Sequence, residues 1–369
     1  MPDESIRTPE LSVIVPVLNE AAAIESLLVN LARQREVIME VILCDGGSED
    51  GTAALATRCA ADISLLLRTL TSPPGRARQL NLGAAAGRGA TLLFLHADSL
   101  FSDPLAFRKG LDRLAAAIKS RGNDRIAGRF ALRFIRQDSA PSPGYYHFEC
   151  KARLNRPECI HGDQGFLMRR TFFEAVGPFA PDFPMLAETR LAAAVHASGE
   201  WLLLPAEIGT SARRFETEGL RERQTLNAII MNFAAAQWMP FFRELPRIYR
   251  NRYDDGPLQL PFILRKIVRL MRELPLRERF RLWYATGRYV RDNTWQLALA
   301  RDTGNNFRRG YPPGAGDLPL LRCYERFINP LTDHPPGRLL TALLTWLWLH
   351  LNCLGSREEA GQSRSPKKL

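Results

Sequence analysis

The stretch Leu92-Leu93-Phe94-Leu95-His96-Ala97-Asp98-Ser99 decides the class of fold, because an apolar run leads directly into a carboxylate. Successive apolar residues bounded by small and polar ones predict a buried parallel strand. In open α/β sheets, ligands bind outside the carboxyl ends of the strands. Asp98 is therefore predicted where a hard cation that bridges two phosphates needs an oxygen ligand. The alternative is that Asp98 caps the next helix, and spacing alone favours neither interpretation.

Strands and helices alternate in the chain before this stretch. Residues 11–17 and 41–44 are apolar and predict buried strands, and residues 63–67 predict a short third strand. Gly46 and Gly47 follow the second strand closely, which lets the backbone approach a ligand. Between the strands, apolar residues recur at the spacing of a helix, which predicts a helix after each strand. This order predicts a parallel, doubly wound α/β sheet.

The second half of the chain changes in character after Gly219. Before it, strand patterns over 126–134 and 201–204 surround a helical pattern over 186–197. After it, the segments are amphipathic, rich in Arg and interrupted by Pro. We therefore expect a mainly α-helical C-terminal region.

Charge and cysteine usage limit the class of protein further. The 369-residue chain has a net charge of +11, and residues 213–309 alone hold 20 Arg and Lys against 10 Asp and Glu. This local excess predicts a basic face. The six cysteines show no paired spacing, which is typical of a reducing compartment. Residues 1–10 lack the apolar run of a secretory signal, so we expect a cytoplasmic protein.

Six short motifs occur in the order and on the elements found in one enzyme family. Together they resemble the family 2 glycosyltransferases and, more narrowly, a bacterial branch associated with radical-SAM proteins. The motifs are Val13–Glu20, Asp45–Thr52, His96–Asp98, Gly75–Asn81, Gly162–Gly165 and Ser211–Arg214. The resemblance implies a GT-A-like mixed sheet, a nucleoside-diphosphate sugar as donor, a divalent cation (Mg²⁺ or Mn²⁺) and inversion at the anomeric carbon.

The resemblance also defines the expected domains. A flexible N-terminus over 1–10 precedes a nucleotide-sugar-binding glycosyltransferase domain over 11–217. A helical basic region over 218–355 follows, and a disordered tail over 356–369 ends the chain.

Several positions match donor-binding positions of the family. Pro16, Leu18 and Glu20 match its first nucleotide-contacting loop, and Asp45 matches its nucleotide-binding Asp. Asp98 matches the last acid of its metal motif.

The metal motif departs from the family pattern, because His96 and Ala97 stand where acids are usual. A cation held by Asp98 alone must take further ligands from the diphosphate and water, as Mg²⁺ commonly does. His96 is either a second ligand or a packed, hydrogen-bonding histidine, and we favour the histidine without a metal role.

Four arginines are candidates for binding anionic groups. Arg76 and Arg78 begin a helix at the carboxyl edge of the sheet, where a helix N-terminus and a guanidinium suit a phosphate. We favour this role for Arg76 and an exposed surface position for Arg78. Arg213 and Arg214 are predicted to bind the diphosphate or an anionic acceptor, and the alternative places them on the outer face of a strand end.

The catalytic base is the second departure from the family pattern. Aligning the stretch 183–186 with the family places Glu188 where the family has its basic Asp. A glutamate can also take a proton from an attacking hydroxyl, but its carboxylate lies one methylene further out. A shift of about 1 Å can lower the rate on the order of 100-fold if nothing compensates. Asp163 is the alternative base, unless it only forms a turn between glycines.

A structural zinc site is a disfavoured alternative. His147, Cys150, Cys159 and His161 offer two pairs of ligands, but the second pair is spaced too tightly for the common patterns.

The run 339–354 is apolar, contains two Trp and is flanked by Arg338 and Arg357. It is shorter than the roughly 20 apolar residues of a membrane-spanning helix. It is a buried helix, an interfacial helix on an anionic membrane surface, or a partly inserted segment. Burial is the default, and the second interpretation would place the protein at the inner face of the membrane. The basic stretch before it contains no nucleic-acid-binding motif, so we expect no nucleic acid as partner.

Two hypotheses about function follow. The first is an inverting, metal-dependent glycosyltransferase that moves a sugar to an acceptor that the sequence does not identify. The second is a non-catalytic nucleotide-sugar-binding or membrane-binding protein with a degenerate transferase site.

Overall fold

The computed structural model describes residues 8–181, 186–250 and 256–354. The chain divides into two compact units, the first from residues up to 139 and 148–212, the second from 140–147 and 213 onward. The domain boundary expected from the sequence lay five residues later, after residue 217. The predicted tail over 356–369, residues 1–7 of the predicted N-terminus and residues 183–185 of the family alignment lie outside the described residues.

The first unit is built on a seven-stranded sheet with the order β3-β2-β1-β4-β6-β5-β7. The strands are β1 (Leu11–Val17), β2 (Met39–Asp45), β3 (Leu67–Thr71), β4 (Thr91–Phe94), β5 (Ile126–Ile135), β6 (Phe166–Arg169) and β7 (Glu200–Ser211). The first four are mutually parallel where they pair. β6 runs antiparallel to β4 and β5, and β7 runs parallel to β5. The predicted doubly wound mixed sheet is confirmed.

The helices of the first unit follow the strands as expected for this class. They are α1 (Ala21–Ala32), α2 (Thr52–Asp62), α3 (Arg76–Ala86), α4 (Ala106–Arg121), α6 (Arg170–Val176) and α7 (Ala187–Ser198). Between α4 and α6, helix α5 (Pro143–Lys151) joins the two units along the chain, and short 3₁₀ turns cover Pro157–Cys159 and Gly162–Gln164.

The third strand starts later than the sequence predicted. Residues 63–66 close the end of α2, because the amide of Ile63 donates to the carbonyl of Cys59 and Ser64 takes a positive φ of 53°. β3 then pairs with β2 over Leu67–Thr71. Since β3 is an edge strand and only partly buried, its sequence lacks the continuous apolar run of a central strand.

Helix α3 packs closely on the sheet, and this contact positions its first residue. A Cβ placed on Gly83 would lie 2.4 Å from Cγ2 of Ile14 and 2.9 Å from Sγ of Cys44, so only glycine fits there. Ile14 and Cys44 are fully buried in β1 and β2. The helix therefore lies against these strands, and its first residue, Arg76, lies at their carboxyl edge.

The second unit is mainly helical, as predicted. Its helices are α8 (Arg213–Glu218), α9 (Leu220–Ala235), α10 (Met239–Arg250), α11 (Leu260–Arg272), α12 (Leu276–Asp292), α13 (Trp295–Arg308), α14 (Pro319–Cys323), α15 (Asn329–Thr332) and α16 (Pro335–Leu354). Within the described ranges, no helix is both long and apolar enough to cross a membrane.

Candidate active site

The loops that follow β1 and β2 are bonded to each other at the carboxyl edge of the sheet. The amide of Asn19 donates to Oγ of Ser48 (2.9 Å), and the amide of Glu49 donates to Oδ1 of Asn19 (2.9 Å). The amide of Ala21 donates to Oδ2 of Asp50 (2.9 Å). These bonds hold the two predicted nucleotide-contacting loops as one rigid rim.

Asp45 ends β2 inside this rim and is 7% exposed. Its Oδ1 accepts hydrogen bonds from the amide (3.0 Å) and hydroxyl (2.6 Å) of Ser48. The carboxylate thus orders the turn after β2. Of the predicted first loop, Pro16 is buried, Glu20 is half-buried and Leu18 is 45% exposed. Their roles in nucleotide binding stay predictions.

Gln79 was not singled out from the sequence, although it connects the two strands beneath this rim. Its Nε2 donates to the carbonyls of Val17 (2.7 Å) and Cys44 (2.8 Å), at the ends of β1 and β2. The side chain is 4% exposed. A polar residue in the first turn of a helix is common on protein surfaces, so the local pattern carries no specific signal for this role.

Three charged or titratable side chains from three separate elements meet at the same edge. Nη1 of Arg76, in the first turn of α3, lies 3.2 Å from Oε1 of Glu188 and 3.2 Å from Nε2 of His96. Nε2 of His96, which follows β4, lies 3.4 Å from the same Glu188 oxygen. A neutral ring nitrogen either donates or accepts, so Nε2 of neutral His96 bonds to Glu188 in one tautomer and to Arg76 in the other. We call these three residues the charged cluster.

The charged cluster is closely covered by the turn that contains Gly162. A Cβ on Gly162 would lie 2.7 Å from Cγ of Glu188 and 3.0 Å from Nε2 of His96. Glycine is therefore required here by the close approach of side chains.

Glu188, in the first turn of α7, is ionised at neutral pH. Burial alone would raise the pKa of its carboxyl, since the residue is 9% exposed. The hydrogen bond from His96 and the positive charge of Arg76 outweigh burial and lower the pKa to about 2. A carboxylate with so low a pKa is a weak proton acceptor while it stays paired in this way.

Asp163, the alternative base, has the opposite electrostatic environment. Its Oδ1 is buried and accepts no hydrogen bond within the described part of the chain. Burial raises its pKa to about 6; the charges of Asp98 and Glu188 act in the same direction and His96 opposes them. The pKa of Asp163 is thus close to neutral pH, and its buried Oδ1 has no hydrogen-bond donor among the described residues.

Asp98 does not cap the helix that follows it, since α4 begins only at Ala106. Its Oδ2 accepts hydrogen bonds from Oγ1 of Thr210 (3.1 Å) and the amide of Ser211 (3.1 Å), at the end of β7. Oδ1 of Asp98 accepts none from the described residues. No three side chains of His, Cys, Asp or Glu come together as a metal site in the described ranges.

Three further predicted arginines and one predicted zinc ligand are not members of the charged cluster. Arg78 is exposed on α3. Arg213 and Arg214 begin α8, in the second unit, and so occupy a helix instead of the outer face of a strand end. The side chain of His147 hydrogen-bonds Oγ1 of Thr303 (2.9 Å) in the second unit.

A buried arginine supports the turn behind Asp163 and was not found from the sequence. The guanidinium of Arg129 is fully buried and donates to the carbonyls of Ala152 and Leu154 and to Oε1 of Gln164. Gln164 in turn donates to the carbonyl of Cys159 (2.6 Å). Burial lowers the pKa of Arg129 to about 10, so it keeps its charge at neutral pH.

The sheet, its bonded loops and the charged cluster define an α/β protein with polar and charged groups gathered at the carboxyl edge of the sheet. Residues 12–177 match the model of Glycosyl transferase family 2. A PGL/p-HBAD biosynthesis glycosyltransferase of Mycobacterium bovis (strain BCG / Pasteur 1173P2) is 30% identical over 184 residues, which is 49% of this chain and 67% of the relative. Glycosyltransferase AglE of Haloferax volcanii is 26% identical over 178 residues, covering 46% of this chain and 56% of AglE.

The chain belongs to glycosyl transferase family 2 and is a glycosyltransferase. The family model ends at residue 177, so Glu188, Arg213 and Arg214 lie outside the matched residues.

Two solved structures are similar over most of the chain. The mannosyltransferase PcManGT from Pyrobaculum calidifontis, in complex with GDP-Man and Mn²⁺, is 18% identical with a TM-score of 0.47 and covers 96% of this chain and 88% of its own. S. aureus TarS 1-349 in complex with UDP is 15% identical with a TM-score of 0.46, and covers 86% and 90%. The family assignment rests on the sequence matches.

Proposed function

We propose that this protein transfers a sugar from a nucleoside-diphosphate donor to an acceptor hydroxyl at the carboxyl edge of its sheet, with inversion. The observation that carries the proposal is the charged cluster. Arg76, His96 and Glu188 come from three elements and meet beside Asp98 and Asp163, where they offer a cation for a diphosphate and a carboxylate for a proton.

Arg76 is the side chain best suited to the donor's diphosphate. It lies in the first turn of α3, its side chain is 49% exposed, and the helix N-terminus adds to its positive charge. A guanidinium presents five N–H donors in a planar fork that suits phosphate oxygens. Pro16, Leu18, Glu20 and Asp45 would form the rim that contacts the nucleotide, and Arg213 and Arg214 stay candidates for the diphosphate or an anionic acceptor.

A divalent cation, Mg²⁺ or Mn²⁺, fits the acidic side of the site. Oδ1 of Asp98 is unbonded within the described ranges, and Oδ1 of Asp163 is buried without a donor. The negative charge of Asp98 contributes to the raised pKa of Asp163, and a cation between carboxylates removes this repulsion. Asp98 would hold the cation, with the diphosphate and water completing its ligands. When bound, the cation stabilises the charge of the leaving diphosphate.

Glu188 is the proposed general base. In a single displacement, the acceptor oxygen bonds to the anomeric carbon as the bond from that carbon to the diphosphate oxygen breaks. The acceptor proton goes to Glu188, and the nucleoside diphosphate leaves with the bonding electron pair. Binding of the diphosphate by Arg76 would reduce the positive charge felt by Glu188 and raise its proton affinity at this step.

Asp163 is the competing assignment for the base, because its pKa of about 6 suits a proton acceptor at neutral pH better than the unliganded Glu188 does. The pH dependence of kcat/KM separates the two. A base role for Asp163 gives an acid limb at or below pH 6, since a bound cation lowers the pKa of this carboxyl, and Asp163→Asn loses activity at every pH. A base role for Glu188 leaves activity level at that pH and abolishes it in Glu188→Gln.

The first experiment measures donor binding and turnover separately. Thermal shift with UDP-, GDP- and dTDP-sugars, each with and without Mg²⁺ or Mn²⁺, identifies the donor, since a ligand at 100 times its Kd stabilises by about 2.7 kcal/mol. Release of nucleoside diphosphate then reports turnover, with Glu174→Gln, an exposed carboxylate on α6, as the matched control. Binding without metal-stimulated release would support the non-catalytic hypothesis, and no binding of any donor would refute both.

The predicted location at the inner face of a membrane also stays a proposal. It concerns the helical unit and does not depend on the residues named above.

A further inference from the structure

The last helix, α16, carries a broad exposed apolar face. Eight large side chains of this helix are between 40% and 60% exposed: Leu339, Leu340, Leu343, Leu344, Trp346, Leu347, Trp348 and Leu351. They recur at the helical spacings that place residues on adjoining faces of one side. We call these eight residues the α16 face. Contiguous exposed apolar patches larger than a few hundred Å² mark interaction sites in soluble proteins.

The opposite side of α16 is packed against α12, so among the described residues the helix has one packed side and one exposed side. Ala342 and Leu349 are 7% and 6% exposed. A Cβ on Gly287 of α12 would lie 2.2 Å from the carbonyl oxygen of Arg338 and 2.6 Å from Cβ of Ala342. This close approach fixes which side of α16 points away from the unit.

Exposed apolar side chains also occur on α12, the helix that is packed against α16. Nη2 of Arg291 bonds Oδ1 of Asn329 (2.9 Å), whereas Gly287, one turn earlier, meets residues 338–342. Arg291 thus contacts α15 and Gly287 contacts α16, and the start of α12 carries further exposed apolar side chains. Leu276 and Phe280, at that start, are 77% and 63% exposed.

Positive charge borders the C-terminal end of α16. Arg265 and Arg272 of α11 are exposed and lie close enough to Cys353 to act on its thiol: burial raises the pKa of Cys353, and these two charges oppose the shift. Residues 339–354 contain no Asp or Glu. An apolar face without acidic residues, bordered by arginines and containing two Trp, has the composition of helices that lie in the interface of an anionic bilayer.

We propose that the α16 face is a membrane-docking surface that lies in the plane of an anionic lipid bilayer. The helix does not cross the bilayer, in keeping with the lack of a spanning helix in the described ranges. Leu and Trp side chains enter the boundary between headgroups and acyl chains, and Arg265 and Arg272 meet the anionic headgroups. This proposal goes beyond the proposed glycosyl transfer and is independent of the donor and the base.

Flotation of the full chain with vesicles of phosphatidylcholine, alone or mixed with phosphatidylglycerol, tests the proposal. We expect binding to the anionic vesicles that weakens in high salt. The double substitution Leu343→Glu with Leu347→Glu should lower the partition coefficient on the order of 100-fold, about tenfold for each lost Leu contact. Arg272→Glu should lower it about fivefold or more. The matched controls are Leu297→Glu, 75% exposed on α13, and Arg301→Glu on the same helix.

Two measurements keep the outcome unambiguous. Brominated acyl chains should quench tryptophan fluorescence in the wild type and less in a variant with both Trp346→Phe and Trp348→Phe. Sedimentation velocity without lipid checks for a second copy as occupant. Failure to float with anionic vesicles, or a dimer that Leu343→Glu with Leu347→Glu dissociates, overturns the proposal. Donor binding by thermal shift is measured on the same variants, so loss of docking is distinguished from failure of the proposed transfer.

Discussion

The ionisation of Glu188 gives the sharpest test of the charged cluster. The pKa of this carboxyl is about 2 in the folded chain, against an ordinary value of 4.5. A carboxyl whose pKa is lowered by folding stabilises the folded state above its unfolded pKa. That contribution is lost as the pH falls from about 4.5 towards about 2. Glu188→Gln removes the titrating group and keeps the size of the side chain.

The expected magnitude follows from the two pKa values. For a shift from 4.5 to about 2, linkage predicts that Glu188 contributes about 1.4 kcal/mol less to stability at pH 3.5 than at pH 6. The free energy of unfolding of the wild type minus that of Glu188→Gln should therefore fall by about this amount over the range. Carboxyls that do not respond to the charge of Glu188 cancel in the difference. Asp163 does respond to it, so both proteins carry Asp163→Asn in this comparison.

Urea unfolding followed by circular dichroism at pH 6, 5, 4 and 3.5 measures this difference. Arg76→Ala removes one of the two groups that keep Glu188 ionised, so the same comparison in an Arg76→Ala background should show a smaller pH dependence. Glu174→Gln, at an exposed site on α6, should show none of comparable size. A wild-type minus Glu188→Gln difference that is level from pH 6 to pH 3.5 would refute the ion pair and hydrogen bond as described.

Three further predictions concern neighbouring positions. Gly162→Ala places a Cβ 2.7 Å from Cγ of Glu188, so we expect a folded protein whose nucleoside diphosphate release falls on the order of 100-fold. Arg129→Met leaves the carbonyls of Ala152 and Leu154 without their donor and should lower the free energy of unfolding by about 2–4 kcal/mol, measured by urea titration. In Gly83→Ala the new Cβ would lie 2.4 Å from Cγ2 of the buried Ile14. We expect the free energy of unfolding to fall by about 1–3 kcal/mol, seen as a lower melting temperature, with an unchanged donor preference.

Central strands could be predicted from the sequence because both their faces are buried. β1 and β2 are mainly apolar, with Ser12 and Glu40 as buried polar exceptions, and their ends could be placed within two residues. β3 is an edge strand with alternating partial burial, so the apolar residues just before it provide a stronger signal than the strand itself. A mixed sheet was expected from the resemblance, but the four residues of β6 carry too little pattern to show which strand runs antiparallel.

The candidate site could be predicted as a set of positions, but not as a set of contacts. Arg76 and Glu188 were each predicted from a local motif, whereas their ion pair spans 112 residues of sequence. The raised pKa of Asp163 and the lowered pKa of Glu188 depend on burial and neighbouring charge, which no local pattern reports. Arg129 had one available signal, a charged residue within a mainly apolar strand pattern, where a buried charge needs hydrogen-bond partners.

Arg76 is proposed both to pair with Glu188 and to bind the diphosphate, and one guanidinium cannot do both fully at once. Donor binding is therefore proposed to precede activation of the base. Without donor, Nη1 of Arg76 lies 3.2 Å from Oε1 of Glu188 and keeps the carboxylate ionised, which makes Glu188 a weak base. A diphosphate carries more charge than a carboxylate and attracts the half-exposed arginine more strongly. If Arg76 turns to the diphosphate as proposed, the proton affinity of Glu188 rises, and the proposed base would become effective only when a donor is present. The pH dependence assigned to Glu188 should accordingly shrink when the unfolding measurement is repeated with the bound nucleoside diphosphate, and an unchanged dependence would separate the arginine from the donor.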